Sequence, residues 1–185
     1  MKLLVVAVST RPARAGFPVA QWAFEAAERH GAFEASLVDL AAVALPLFDE
    51  PEHPRFGRYQ HEHTRRWSAI VAPADAFVFV TPEYNYSAPP SLINALDYLN
   101  VEWACKPAAF VSYGGPAGGT RAVQMAKLTL TSLKMMPLPE GVMLPFFTKQ
   151  IEGGVFRPNE GNDKAAAAML TELARWAKAL QPLRA

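Results

Sequence analysis

Cysteine is almost missing: the 185-residue sequence contains one, Cys105. No intrachain disulfide can form, and sites built from several thiolates are excluded. An excess of either charge is missing too. Eighteen Lys and Arg stand against 17 Asp and Glu, a formal net charge of +1. That balance argues against a dedicated nucleic-acid binder and against a strongly acidic electron shuttle. No run approaches the roughly 18 apolar residues of a membrane span. The N-terminal stretch places one lysine ahead of an apolar run too short for a signal peptide. Internal repeats, interdomain linkers and low-complexity tracts are absent. So are the glycine patterns GxGxxG and GxxxxGK[ST], which removes the Rossmann dinucleotide fingerprint and the Walker A loop. Half the residues are apolar (51%), enough for a substantial core and too many for a disordered chain. The expectation is one soluble, cytoplasmic domain spanning 1–185, with no nucleic-acid or membrane partner.

What is present alternates between strand and helix patterns. "LLVVAV" (3–8) is a continuous apolar run, as in a strand covered on both faces. Val19, Trp22, Ala23, Ala26 and Ala27 then recur at helical spacing, and Gly31 closes that helix. "EASLVDL" (34–40) reads as strand two, the proline-rich 44–60 as a long loop, and 61–73 as a helix. Strand three (75–81) leads to a helix opened by Pro89 and Pro90, on which Leu92, Ala95, Leu96 and Leu99 share a face. "PAAFVSYGG" (107–115) is strand four, followed by a helix through Ala122, Met125, Ala126, Leu130 and Leu133. "KMMPLPEGVMLP" reads as a broken fifth strand, 146–161 as a hairpin or loop, and Met169, Leu173, Trp176, Ala177 and Leu180 mark the last helix. Five strands alternating with helices imply an α/β three-layer sandwich, with a parallel sheet of order 2-1-3-4-5. In that order, ligands bind in the crevice at the carboxyl ends of strands one and three.

Three loops would border this crevice. The first holds Ser9, Thr10, Arg11, Arg14 and Gly16 ahead of a helix starting near Pro18. Hydroxyls, guanidiniums and a helix start together suit a phosphate; an ordinary polar turn with solvated arginines would look the same. The second, "TPEYNYSAPP", brings Pro82, Glu83, Tyr84, Asn85 and Tyr86 to the mouth of strand three. These flat side chains and main-chain donors suit a heteroaromatic ring, while plain packing by the tyrosines is the alternative. The third, "SYGGPAGGTRA" (112–122), has four glycines that allow a backbone to approach a flat ligand closely. One phosphate loop, one aromatic loop and one glycine loop suit flavin mononucleotide (FMN).

On these segments the sequence resembles the flavodoxin-like NADPH-dependent FMN reductase family, which includes quinone, azo-dye and chromate reductases. "STRPARAGFPVA" is similar to the family's GSTRPGRxGxxVA loop, and "TPEYNYSAPPSLINALDYL" to its TPEYNxSxPxxLKNAIDWL segment. "SYGGPAGGTRAVQMAKLTL" is similar to its glycine loop and following helix, and "LPLFDEP" to its loop after strand two. The resemblance covers residues 3 to about 145. It implies that Ser9, Arg11 and Arg14 hold the FMN phosphate, with main-chain contacts at Pro18–Val19. It also implies that Pro82, Glu83, Tyr84 and Asn85 line the isoalloxazine edge, with Ser112, Gly114 and Gly115 beneath or beside the ring. The expected activity is hydride transfer from NADPH or NADH to bound FMN, then electron transfer to a small-molecule acceptor such as a quinone. A homodimer or homotetramer is expected with it. Val8 and Ala13 stand where the family has glycine, which would strain the loop if either position needs positive φ. A flavin-binding electron carrier or redox sensor without turnover is the alternative, and a relative that has lost its cofactor is the third reading.

Other features read as structural. His61 and His63 are two apart, and such residues point to different sides of a helix, so a solvated helix start is expected rather than a metal site. Cys105 reads as packing at a strand's start, and Ser87 lacks the flanking glycines of a nucleophile elbow. Tyr98, Trp103, Met135 and Met136 are core or subunit interface.

Overall fold

The computed structural model describes residues 1–184. Its elements, in chain order, are β1 (Lys2–Ala7), α1 (Phe17–His30), β2 (Glu34–Asp39), α2 (Leu40–Val43), α3 (Glu62–Val71), β3 (Ala76–Pro82), α4 (Pro90–Asp97), β4 (Pro107–Gly114), α5 (Thr120–Ser132), β5 (Met136–Pro145), β6 (Ile151–Glu152), β7 (Val155–Phe156) and α6 (Glu160–Leu180). The first five strands form one parallel sheet of order β2-β1-β3-β4-β5. The expected α/β architecture and strand order are therefore present.

Alternation along each central strand divides the core into two layers. Leu3, Val5, Ala7, Val78, Val80, Ala109 and Val111 face α1 and α6. Leu4, Val6, Val8, Phe77, Phe79 and Phe110 face α3, α4 and α5. That second layer centres on Trp103, whose ring meets Phe77 edge-on at 4.9 Å and Trp67 at 6.1 Å. Both indoles are satisfied by α4: Trp67 Nε1 donates to the Ala95 carbonyl (2.8 Å) and Trp103 Nε1 to that of Leu96 (3.1 Å). Tyr98, Trp103 and Met135 thus belong to the core of this chain, while the half-buried Met136 packs on the opposite layer.

Several local expectations are refined. Strand two ends at Asp39, whose carboxylate accepts from the Ala41 amide (3.0 Å) and so caps the short α2. The loop 44–60 contains one 3-10 turn, Pro54–Phe56. The fifth strand is broken as its prolines suggest. Ala108 of β4 faces Pro137 and Phe110 faces Gly141, so β5 bulges between them. Gly141 is needed there because a Cβ would lie 2.8 Å from the Phe110 carbonyl oxygen. Residues 146–161 hold the β6–β7 hairpin, turned by Gly153 and Gly154, both left-handed. His61 precedes α3 in extended conformation. Its ring therefore stacks on His63 at 5.1 Å instead of diverging, and both rings face Asp49. Among the described residues, no cluster of His, Cys, Asp or Glu is arranged to hold a metal ion. None of the described helices is long and apolar enough to cross a membrane.

The buried Lys106 closes the end of the sheet away from the carboxyl termini of the strands. Its ammonium donates to the last carbonyls of α3, at Ala72 (2.8 Å), and lies 5.8 Å from the Phe77 ring centroid. Burial, reinforced by the Arg184 charge, lowers its pKa from 10.5 to about 8. Between those values the unfolded chain binds more protons than the native one, so stability rises with pH across that window. Below it, the full cost of burying the charge is present. Urea denaturation of wild type and Lys106→Met from pH 7 to 10 should show the wild type gaining stability relative to the variant above pH 8. Parallel profiles would show that the ammonium is not penalised.

Candidate active site

The carboxyl ends of β1, β3, β4 and β5 converge on one cavity. The first wall is the segment after β1. It turns through an Arg14 amide to Arg11 carbonyl bond (3.2 Å), and the Gly16 carbonyl then accepts from Val19 (3.1 Å) as α1 begins. Among the described residues, the amides of Ala15, Gly16 and Phe17 donate to no backbone carbonyl, as expected for a helix start. Arg14 is paired with Asp39 and lies 5.2 Å from the Phe17 ring centroid. Arg11 is exposed and forms no ion pair among the described residues. Neither Val8 nor Ala13 has positive φ, so replacing the family's glycines does not strain this loop.

The second wall follows β3. Tyr84 and Ser87 exchange backbone hydrogen bonds, both 3.0 Å. Asn85 (φ 50) and Tyr86 (φ 67) between them are left-handed, as in a two-residue hairpin turn. This turn sends the Tyr84 hydroxyl to Ser9 Oγ, 2.9 Å away, and joins the first wall to the second. Glu83 reaches the start of α5, accepting from the Arg121 amide (3.1 Å) and from Arg121 Nε (2.6 Å). Burial pushes the Glu83 carboxyl up, but those hydrogen bonds and the guanidinium charge outweigh it and hold the pKa below the usual range. The same guanidinium lies over the Tyr86 ring, 3.9 Å from its centroid.

The third wall is the glycine loop after β4. Ser112 and Tyr113 point to opposite faces of the sheet. Ser112 Oγ donates to the Gly118 carbonyl (2.8 Å) and borders a separate cleft of about 90 Å³ between α5 and β5. Tyr113 runs the other way, under the first loop, where its hydroxyl covers the Cα of Gly16. A Cβ on Gly16 would lie 2.0 Å from that oxygen. Burial, together with nearby Tyr84, raises the Tyr113 pKa, so the phenol stays protonated and able to donate. The fourth wall follows β5. The Phe146 amide donates to the Gly115 carbonyl (3.2 Å), and Phe147 packs on Tyr113 at 4.6 Å.

The half-open cavity has a volume of about 430 Å³. Of the residues expected from sequence, Ser9, Arg11, Arg14, Gly16, Pro82, Glu83, Tyr84, Gly114 and Gly115 line it. Thr10, Pro18, Val19, Asn85 and Ser112 do not. Val19 is a core residue and its amide is already used by Gly16, while Pro18 has no amide hydrogen. The helix start therefore meets the cavity through Ala13–Gly16. Tyr113 and Phe146–Thr148 line it without having been expected. For Tyr113 a signal existed in the period-2 alternation of β4, which puts it on the face opposite Ser112. Along the first loop the cavity offers a guanidinium, hydroxyls and amides, the donors an anion needs. Along the third it offers glycine backbone. A Cβ on Gly115 would meet nothing within 4 Å, so the missing side chain leaves open space for a ligand.

The family model described as NADPH-dependent FMN reductase matches residues 1–149. An NAD(P)H-dependent FMN reductase of Schizosaccharomyces pombe is 42% identical over 159 residues, covering 85% of this chain and 79% of the relative. A quinone reductase of Pseudomonas putida is 36% identical over 107 residues, covering 54% of this chain and 56% of the relative. Among solved structures, the flavoenzyme NAD(P)H:(acceptor) oxidoreductase FerB of Paracoccus denitrificans superposes with a TM-score of 0.73 at 22% identity. That match covers 96% of this chain and 97% of FerB and shows the same fold.

The contact between Tyr113 and Gly16 has a measurable consequence. Gly16→Ala would force the phenol out of its seat, an overpacking cost of typically ~1–3 kcal/mol. Urea denaturation of the apoprotein should show a loss of that size, and the same substitution made in a Tyr113→Leu background should cost much less. An unchanged midpoint for Gly16→Ala would mean that the ring moves aside freely.

Proposed function

Since the chain belongs to the NADPH-dependent FMN reductase family, we propose that it is an NAD(P)H-dependent oxidoreductase whose cavity seats FMN against the first three walls. The reading rests above all on one observation: a single cavity is lined both by the anion donors of the first loop and by the glycine backbone of the third. Arg11, Ser9 and the Ala13–Gly16 segment would take the phosphate, with the Tyr113 hydroxyl beneath them. Pro82, Tyr84, Gly114 and Gly115 would border the ring system. Bound FMN supplies the two-electron chemistry that links a nicotinamide hydride to an acceptor.

The protein's own part is positional. Arg11 supplies a charge that no carboxylate of the described residues neutralises. Arg14, its charge paired with Asp39, supports the loop. Glu83 acts through Arg121, holding the second wall against α5; it is a positioning residue. No side chain needs to act as acid or base. The net reaction consumes one NAD(P)H, one proton and one quinone and yields NAD(P)+ and one hydroquinone, with two electrons moved. The chain forms a single flavodoxin-like domain in this reading. Assembly into a homodimer or homotetramer is part of the same reading.

Arg11→Ala should weaken FMN binding by the value of a charge-assisted contact, typically ~1.5–3 kcal/mol, or roughly ten- to over a hundredfold in Kd. Apoprotein titrated with FMN at moderate salt measures it. An unchanged Kd would return Arg11 to the solvated surface. Steady NADPH oxidation on adding a quinone separates an enzyme from a carrier or sensor, which would be reduced once and stop.

A further inference from the structure

Phe146 is the one side chain of the cavity whose conformation and surroundings are both out of the ordinary. Its backbone is left-handed, φ 48 and ψ 37, a region in which a bulky residue is a genuine outlier. Burial does not offset this. The residue is 49% exposed, whereas the next residue, Phe147, packs into the core layer beside Tyr113. Glycine would satisfy the turn without strain, so the turn itself gives no reason for a phenyl ring. The position is nonetheless fixed. The Phe146 amide is held by the Gly115 carbonyl, and its own carbonyl accepts from Lys149 (2.9 Å). Gly118 lets β5 pass close by, since a Cβ there would lie 3.0 Å from the Pro145 nitrogen. A strained backbone that stays over-determined and presents an exposed side chain points to a role in ligand contact.

We infer that Phe146 is a specificity-determining residue for the electron acceptor, offering a π-face on which planar aromatic acceptors stack. The inference rests on the function proposed above. Its commitment to the acceptor, rather than to FMN, follows from depth. Ser9 and Tyr113 form the buried floor that a resident cofactor would occupy, while Phe146 stands at the half-open rim, where a molecule that enters and leaves at each turnover must pass. The Lys149 ammonium lies over one face of the ring, 5.2 Å from its centroid, so the other face is the one available for stacking. Offset stacking of this kind favours flat acceptors over compact ones, with an expected effect of roughly three- to tenfold.

The test uses FMN-loaded wild type, Phe146→Gly and Phe146→Tyr. Equilibrium binding of 1,4-naphthoquinone is measured calorimetrically on the oxidised proteins without nicotinamide, so that no electrons flow. FMN affinity, melting temperature and the ratio of KM for naphthoquinone to KM for ferricyanide are measured alongside. Phe146→Gly should melt at or above wild type, because the strain is relieved, and should keep wild-type FMN affinity. It should lose roughly three- to tenfold in naphthoquinone affinity and raise the KM ratio by a similar factor. Phe146→Tyr should retain both. Wild-type naphthoquinone binding by the glycine variant would overturn the inference, and so would loss of FMN affinity in that variant, which would place the ring in the cofactor's seat. A wild-type protein that binds no FMN would instead overturn the proposed function, before any variant is compared.

Discussion

The reversal of winding direction between β1 and β3 governs everything at the carboxyl end of the sheet. The chain leaves β1 towards the α1–α6 layer and leaves β3 towards the α3–α5 layer. The two loops therefore diverge and leave a crevice that neither helix can fill. Because the sheet is parallel, the loops after β4 and β5 open on the same side. Residues 9, 84, 113 and 146 meet there, far apart in sequence and brought together by the strands beneath them. A single antiparallel strand in this region would send its loop to the other end.

Once the crevice exists, polar contacts between loops set its shape. The Ser9–Tyr84 hydroxyl pair ties the first wall to the second. Ser91 Oγ donates to the Val8 carbonyl (2.7 Å) and fixes the start of α4 against the end of β1. Tyr113 seats itself on Gly16, and Glu83 fastens the second wall to α5. Each such bond is worth only about 1 kcal/mol net. Their joint effect is to hold the walls in place before a ligand arrives, so that little ordering entropy is lost on binding. The left-handed Asn85, Tyr86 and Phe146 fit the same picture. Asn85 and Tyr86 turn the second loop and Phe146 the fourth, while Ala44, Cys105 and Lys134 have positive φ elsewhere.

The fold was largely legible in the sequence. Continuous apolar runs marked the buried strands, and helical spacing marked α1, α4, α5 and α6. The proline-rich β5 was recognised as broken, but its bulge depends on how Gly141 meets Phe110, a tertiary contact with no local signature. The two histidines show the limit of a periodicity rule. It holds within a helix, and His61 stands one residue outside α3, so the rings stack. In the site, the first and second loops were found because hydroxyls, guanidiniums and aromatics cluster in sequence. Ser112 was expected at the cavity and faces away, while Tyr113 faces it, because the glycines beside them drew attention from the alternation of the strand. Phe146–Thr148 lie just past the sequence motifs on which the resemblance was read, which end near residue 145. A phenylalanine in a glycine-like conformation announces itself only through its φ.

If Arg11, Ser9 and the loop amides form a phosphate seat, the cavity must distinguish a flavin that carries a phosphate from one that does not. Titrating the apoprotein with FMN and, separately, with riboflavin measures that difference on one protein with one ring system. FMN should bind roughly tenfold tighter or more, the value of at least one charge-assisted contact, and the gap should narrow as salt is raised. Equal affinities for FMN and riboflavin would contradict a phosphate seat at the end of β1.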